Sequence, residues 1–369
     1  MRDFICPFCL KRHTKEQCLY RCNATRCPND VQRDEFGYFD YSNLAICNKK
    51  CSESYEIICP SPETNKSQVI PPRALNQSVS IALLGGRNSG KSNYIAVLVN
   101  EIKKKMSSAF DCSLMPCDDT TDETYNNEFY KPLFKDSHPL KSTDSGRKKP
   151  LLFTIDFYKK SLFIKSMNNL LLPLYDTAGE NMESLKTLNT NVNYIKNAGG
   201  IILLLDPFEI EEIAEQIKAN VSGTEAPSKM EDILNRVQNI LQEKKTNKII
   251  ETPIAIVLTK MDLVCDFTSL IPPDSILRQP SGHIQNGYFS QREFKAVDSA
   301  VRTLITSSND TANNLFKKLE AFKNAAFFAV SSFGCDPSVA DLKRQLKPNR
   351  VLDPLLWLLA INGYIKTGK

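Results

Sequence analysis

Residues 85–92, GGRNSGKS, follow a continuous apolar run and precede a stretch with helical spacing. Glycines at 85 and 90 let successive backbone N–H groups turn inward. The positive end of the following helix adds to them, so the segment can cradle phosphate oxygens. Lys91 would lie against β- and γ-phosphates and Ser92 would ligate Mg²⁺. Gly85, Gly86, Arg87, Asn88, Ser89, Gly90, Lys91, Ser92 and Asn93 are therefore candidate contacts for a nucleoside triphosphate.

Two further clusters bear on the same ligand. Asp176-Thr177-Ala178-Gly179 closes the run NLLLPLYD. A carboxylate there can hold Mg²⁺ through water, while the Gly179 N–H meets a γ-phosphate. Thr259-Lys260-Met261-Asp262 closes the run PIAIVL. The Asp262 carboxylate can accept both N1–H and the exocyclic amine of guanine, a donor pair that adenine lacks, and the Lys260 stem would cover the base. An acceptor left unpaired by the wrong base discriminates strongly, so the expected ligand is GTP or GDP rather than ATP.

These residues need a frame. Apolar runs at 78–85, 150–158, 161–166, 169–176, 200–206, 253–260 and 325–332 read as strands, several buried on both faces. Helix candidates fall at 91–106, 182–197, 229–245, 291–306, 310–323 and 351–362. The alternation predicts an α/β fold: a three-layer domain with a mostly parallel sheet, preceded by a small Cys-rich domain. The expected division is residues 1–60, a Pro-containing extended linker at 61–77, and the α/β domain at 78–369. Polar 111–149 and the Pro/Ser/Gly-rich 263–290 read as long loops. The apolar segment around Trp357 is too short to span a bilayer and reads as a final helix packed on the sheet.

With its motifs in this order, the chain resembles a P-loop GTPase of the Ras-like superfamily. On that resemblance, Ser331 and Ser332 in FFAVSSFG correspond to the last, backbone-donating guanine contact. More narrowly, it looks like bacterial double-GTPase proteins associated with conflict and anti-phage systems, with their Cys-rich ribbon, long first switch and an ending like RVLDPLLWLLAINGYI. The resemblance implies a GTP-hydrolysing switch in antiviral defence, acting on an effector or partner GTPase. It also implies a first-switch threonine on Mg²⁺ beside Ser92 and Asp176. Thr143 is the candidate, with Thr120, Thr121 and Thr124 competing.

Lys91, Thr143 and Glu180 are the expected catalytic groups. Glu180 stands where many relatives place a water-orienting glutamine. A carboxylate can only accept, and it adds charge beside the phosphates, so hydrolysis should be slow without a partner. The other reading of Glu180 is a solvated first-turn residue of the next helix. Asn88 is read first as a turn residue. In GTPases similar to Era and MnmE an asparagine there helps hold K⁺, which makes K⁺ a candidate cofactor.

Eight of the twelve cysteines lie in the first 59 residues. Without a secretion signal, metal thiolates are favoured over disulfides. Cys6, Cys9, Cys22, Cys27, Cys47, Cys51 and Cys59 are the candidate structural Zn²⁺ ligands, with Cys18 and His13 in reserve. One workable grouping joins Cys6, Cys9, Cys47 and Cys51; a single-site alternative joins Cys6, Cys9, Cys22 and Cys27. The formal charge of +5 makes no strong case for nucleic acid, and no apolar run is long enough for a membrane span. The expected location is cytoplasmic, and self-association is left open.

Overall fold

Ala325–Ala329, Ile254–Leu258, Gly200–Leu205 and Ile81–Gly85 lie side by side in that order, every pair parallel. They belong to a computed structural model that describes residues 3–24, 31–51, 55–62, 68–76, 79–86, 88–140, 150–159, 166–176, 192–218, 230–242, 249–306, 309–334 and 346–368. Each of these strands alternates its apolar side chains between two cores. Leu83, Leu204, Val257 and Phe328 point to one face, and Leu84, Leu203, Ile256 and Phe327 to the other. Burial on both faces explains why the runs are continuously apolar rather than alternating.

A second, antiparallel sheet joins Cys112–Pro116, Leu151–Lys159 and Ser166–Leu174. It continues the parallel sheet: Leu171 N donates to Val79 O at 3.0 Å, and Ser80 bridges Leu171. The central sheet is therefore mixed but mostly parallel.

Helices cover both faces. On one side lie Lys91–Glu101 and the apolar Asp353–Ile361, whose Leu355, Leu356, Leu358 and Leu359 are all fully buried. On the other lie Met230–Gln242, Gln291–Thr306 and Asn309–Leu319. This is the three-layer α/β arrangement the alternation predicted. Among the described residues, no helix is long and apolar enough to cross a membrane.

Several expectations need correction. The polar stretch 111–149 holds the strand Cys112–Pro116, the helix Asp119–Thr124 and its continuation Tyr125–Lys135, wound in wider π-type turns. Thr121, Tyr125, Phe129 and Leu133, four apart, bury one face of that helix, as an amphipathic surface helix does. The helix expected over 91–106 runs regularly only to Glu101 and then widens through Ile102–Met106. Ser166 begins one strand running to Leu174, so 166 belongs with the run expected at 169–176; residues 160–165 lie outside the described part. The stretch 263–290 holds the short helix His283–Asn286 and the strand Phe289–Ser290.

The Cys-rich head is built from two small antiparallel pairs, Phe4–Ile5 with Arg12–His13 and Leu19–Cys22 with Tyr55–Ile58, and from the helix Tyr41–Cys51. Its core is shared with the body. Phe4, Tyr20, Phe39 and Ile70 pack in one cluster with Leu152 and Leu171 of the antiparallel sheet. The connection expected to be an extended linker includes Ile70 and Ala74, both buried, and Ile70 N donates to Ile57 O at 2.7 Å. Of the aromatics at 36–43, Phe39 fills the head core while Phe36 is exposed.

Candidate functional site

The segment between Gly85 and the helix Lys91–Glu101 turns on left-handed backbone at Asn88 (φ +65°) and Gly90 (φ +75°). Asparagine tolerates that region and glycine adopts it without strain, which agrees with Asn88 as a turn residue. A Cβ on Gly85 would lie 2.5 Å from Ser89 Oγ and 3.1 Å from Leu204 Cβ. Ser89 needs that space because its hydroxyl donates to Gly86 O at 2.9 Å, closing the loop on itself. The helix that follows is anchored from behind: Tyr94 Oη donates to Val351 O at 3.0 Å.

At the mouth of this loop two oxygens converge. Ser92 Oγ, in the first helical turn, donates to Asp176 Oδ1 at 2.7 Å, and Asp176 is buried at the end of the neighbouring strand. Burial lowers the Lys91 ammonium from its ordinary value, and the Asp176 carboxylate opposes that shift. A hydroxyl and a carboxylate beside a phosphate loop form a hard-oxygen donor set suited to Mg²⁺, which favours a few protein oxygens plus phosphate and water. Asn93 faces elsewhere: its Oδ1 accepts from Leu140 N at 3.2 Å, holding the chain that leads toward 141–149.

The Thr259–Asp262 cluster is equally defined. Lys260 sits in left-handed backbone (φ +52°) between the strand Ile254–Leu258 and the short helix Met261–Cys265. Thr259 Oγ1 donates to Leu205 O at 3.1 Å, tying the turn to the adjacent strand. Ser331 Oγ makes a short hydrogen bond to Asp262 Oδ1 and accepts from Gly334 N at 2.7 Å. Ser331 N donates to Asn349 O at 3.1 Å, so Ser331 meets Asp262 through its side chain while its N–H is engaged elsewhere. Ser332 is the half-buried neighbour. Asp206 stands outside the sequence motifs, yet its Oδ2 pairs with Lys260 Nζ at 2.9 Å, and Phe208 lies 5.5 Å beneath the same ammonium. A signal for it exists in the sequence: Asp206 ends an apolar run just as Asp176 does.

Behind Ser331 stands a buried charge cluster that no motif announces. Arg350 (φ +55°) places Nη1 2.9 Å from Glu293 Oε1 and 2.8 Å from Asp353 Oδ2. His283 lies 3.7 Å from Glu293, and its Nδ1 accepts from Ser290 N at 3.1 Å. The guanidinium between the carboxylates makes this an ion-pair cluster, and through the Asn349–Ser331 bridge it braces the guanine-side loop.

Two thiol clusters form in the head. Cys6, Cys9 and Cys59 bring their sulfurs within 4.8 Å of one another, as do Cys22, Cys47 and Cys51. Neither grouping matches the two sets drawn from sequence spacing, because Cys59 returns on the strand pair Leu19–Cys22/Tyr55–Ile58 to meet the 6–9 turn. Cys47 and Cys51 share one helix face, and Ala24 N donates to Cys22 Sγ at 3.4 Å. Each triad supplies three of the four donors of a closed zinc site, in which Zn–S bonds of about 2.3 Å set the sulfurs roughly 3.8 Å apart. Arg87, Thr143, Gly179, Glu180 and Cys27 lie outside the described residues.

Comparison with known proteins places this geometry. A family model described as Double-GTPase 2 matches residues 79–320, more than half of the chain. A Mycolicibacterium smegmatis protein, SaeC, whose given name proposes a role in ESX-1 scaffolding and assembly, is 23% identical over 318 residues, covering 78% of this chain and 76% of that one. Similar solved structures include the signal recognition particle receptor SRb-GTP/SRX complex of Chaetomium thermophilum (14% identity, 71% of this chain and 94% of that one, TM-score 0.33). Another is the GTP-bound Ski7 GTPase-like domain of S. cerevisiae (15% identity, 78% and 50%, TM-score 0.32). Likeness at that level carries nothing about ligand or partner.

Proposed function

The chain belongs to the Double-GTPase 2 family, and on that footing we propose that it is a GTP-driven switch that hydrolyses GTP to GDP and phosphate. The observation that carries this is the Ser92–Asp176 contact at 2.7 Å, two hard oxygens from separate elements meeting beside Lys91. In this reading Gly85 to Ser92, Arg87 included, surround the phosphates while Asn93 holds the Leu140 backbone, and Gly179 senses the γ-phosphate. Ser92, Asp176 and Thr143 hold Mg²⁺. Thr259, Lys260 and Asp262, with Ser331 and Ser332, take the guanine. Bound Mg²⁺ would neutralise charge developing on the β- and γ-phosphate oxygens. Lys91, half-buried, adds a positive charge there. Glu180 orients water poorly, so turnover is slow until a partner or K⁺ compensates its charge.

The proposed division is a zinc-binding domain over 1–60, a connector over 61–77 and a GTPase domain over 78–369. Zn²⁺ is structural, and the role in bacterial conflict or anti-phage systems rests on family resemblance. A GTP-gated scaffold with little turnover is the second reading, favoured by the scaffolding name of the mycobacterial relative.

Single-turnover hydrolysis in Mg²⁺, run in K⁺ and in Na⁺ and repeated with Ser92→Ala, separates these readings. The switch predicts measurable turnover, faster in K⁺ if Asn88 holds the cation, and lost with Ser92→Ala. Tight GTP binding with negligible turnover in both salts would favour the scaffold. Equal competition by ATP would sink the guanine assignment.

A further inference from the structure

We propose that the Cys6–Cys9 turn is a metal-dependent clamp on the second switch. Zn²⁺ held by Cys6, Cys9 and Cys59, with His13 as fourth donor, fixes a loop that grips both flanks of residues 177–191, so that metal occupancy and GTP binding are thermodynamically linked. The proposal rests on the reading of Asp176 and Gly179 as the GTP sensor.

Two hydrogen bonds carry it. Tyr175, immediately before Asp176, donates its hydroxyl to Pro7 O at 3.2 Å. Asn197, just beyond the helical turn 192–196, donates Nδ2 to Leu10 O at 2.8 Å. Pro7 lies between the two cysteines and Leu10 follows the second. Both acceptors are backbone carbonyls, so what presents them is the conformation of the turn, not a side chain. That turn is tightly wound: Cys6 N donates to Lys11 O at 3.0 Å, Leu10 N to Cys6 O at 2.8 Å, and Leu10 is left-handed at φ +58°.

The two flanks also pack on each other. The rings of Tyr175 and Tyr194 lie 4.8 Å apart. Tyr194 Oη accepts from Leu83 N and donates to Pro173 O, both at 2.8 Å, which ties the pair to the strand that enters the phosphate loop. Ile5 and Leu10 of the head are buried in the same apolar cluster as Leu84 and Tyr194. The turn is thus a structural part of the body at the point where the sensor strand ends.

The donor set explains why the metal would control the turn. Three buried sulfurs lie within 4.8 Å of one another. Without a metal, three thiolates brought this close would repel one another. A dication turns that mutual penalty into attraction. His13 stands ready as the fourth donor, its Nε2 3.1 Å from Cys9 Sγ. Linkage is reciprocal: if GTP shifts Tyr175 or Asn197, it must change Zn²⁺ affinity by the factor by which Zn²⁺ changes GTP affinity.

The test uses the full chain. Metal analysis of the wild type, Cys59→Ser and His13→Ala establishes Zn²⁺ at this triad, with loss of one equivalent expected in Cys59→Ser. Zn²⁺ release to a chromogenic chelator is then timed with GDP and with a non-hydrolysable GTP analogue, while a fluorescent analogue reports nucleotide binding separately. We expect release rates to differ about fivefold or more between the two nucleotides. The difference should collapse in Tyr175→Phe/Asn197→Ala, which keeps both ligands and so excludes a folding failure. Equal release despite demonstrated GTP binding overturns the clamp and leaves the switch standing. Absence of guanine-nucleotide binding overturns the switch itself, and absence of Zn²⁺ from the triad overturns the clamp alone.

Discussion

Lys260 Nζ lies 2.9 Å from Asp206 Oδ2, although the two residues are 54 positions apart and end adjacent parallel strands. The pair holds the long lysine stem across the place where a base would lie, and Phe208 supports the ammonium from below. Asp206 is buried and also accepts from Phe208 N through Oδ1 at 3.1 Å. Asn in its place keeps that cap and removes only the charge. Asp206→Asn should therefore weaken GTP binding by about 1 kcal/mol, roughly fivefold, with little change in melting temperature. A fluorescent-nucleotide titration checks it, and unchanged affinity would show that Lys260 needs no partner.

Asp262→Asn exchanges a double acceptor for one acceptor and one donor. Guanine then loses a paired group, which should cost about 1–3 kcal/mol, roughly 5- to 150-fold in affinity. Xanthine carries an oxygen where guanine has its amine, and so should gain. Competition between GTP and XTP reads the swap directly. Loss of both nucleotides would mean that the variant has released Ser331, which holds the carboxylate, rather than changed its preference.

The phosphate loop and the TKMD turn are legible in the amino-acid sequence because their spacing is local. Each is a few consecutive residues whose roles follow from backbone direction. The helix through Thr121, Tyr125, Phe129 and Leu133 escapes such a reading for the opposite reason. Its buried positions are one in four, diluted by Asp, Asn and Glu, and Pro132 lies inside it. The thiol groupings are also out of reach, since Cys59 meets Cys6 only through strand pairing in the head. The Arg350 cluster joins residues from two distant segments, 283–293 and 350–353, and no periodicity encodes that.

Arg350→Met should destabilise the fold by about 3–5 kcal/mol, because it leaves Glu293 and the buried Asp353 without their cation. Urea denaturation monitored through the single Trp357 measures it, that residue being buried against the same region. A cost under about 1 kcal/mol would mean that the two carboxylates find protons or water easily.

His283 gives a pH signature whose sign can be worked out. Its Nδ1 accepts from Ser290 N, and burial lowers its pKa, opposed by Asp353 and Glu293 and assisted by Arg350. An unfolded histidine protonates near pH 6.5, whereas the folded ring stays neutral to lower pH. Its contribution is therefore intact above about pH 6.5 and is lost as pH falls through that value toward the folded pKa. Asp353, raised by burial, acts in the opposite sense. Melting temperature should fall between about pH 7 and pH 5.5, and His283→Gln, which can still accept from Ser290, should flatten that slope. Equal slopes in both proteins would assign the dependence to another group.

The helix Asp353–Ile361 seals the apolar face formed by Leu83, Leu204, Val257 and Phe328. On the ribosome it is made after every strand of that sheet. Between the strand Ala325–Ala329 and that helix, the nascent chain therefore holds a stretch in which the part of this apolar face the helix will cover is still bare. Such a surface invites self-association or capture by a chaperone until that helix arrives. The closing of this core thus waits on the synthesis of residues 353–361 rather than on the formation of the nucleotide site.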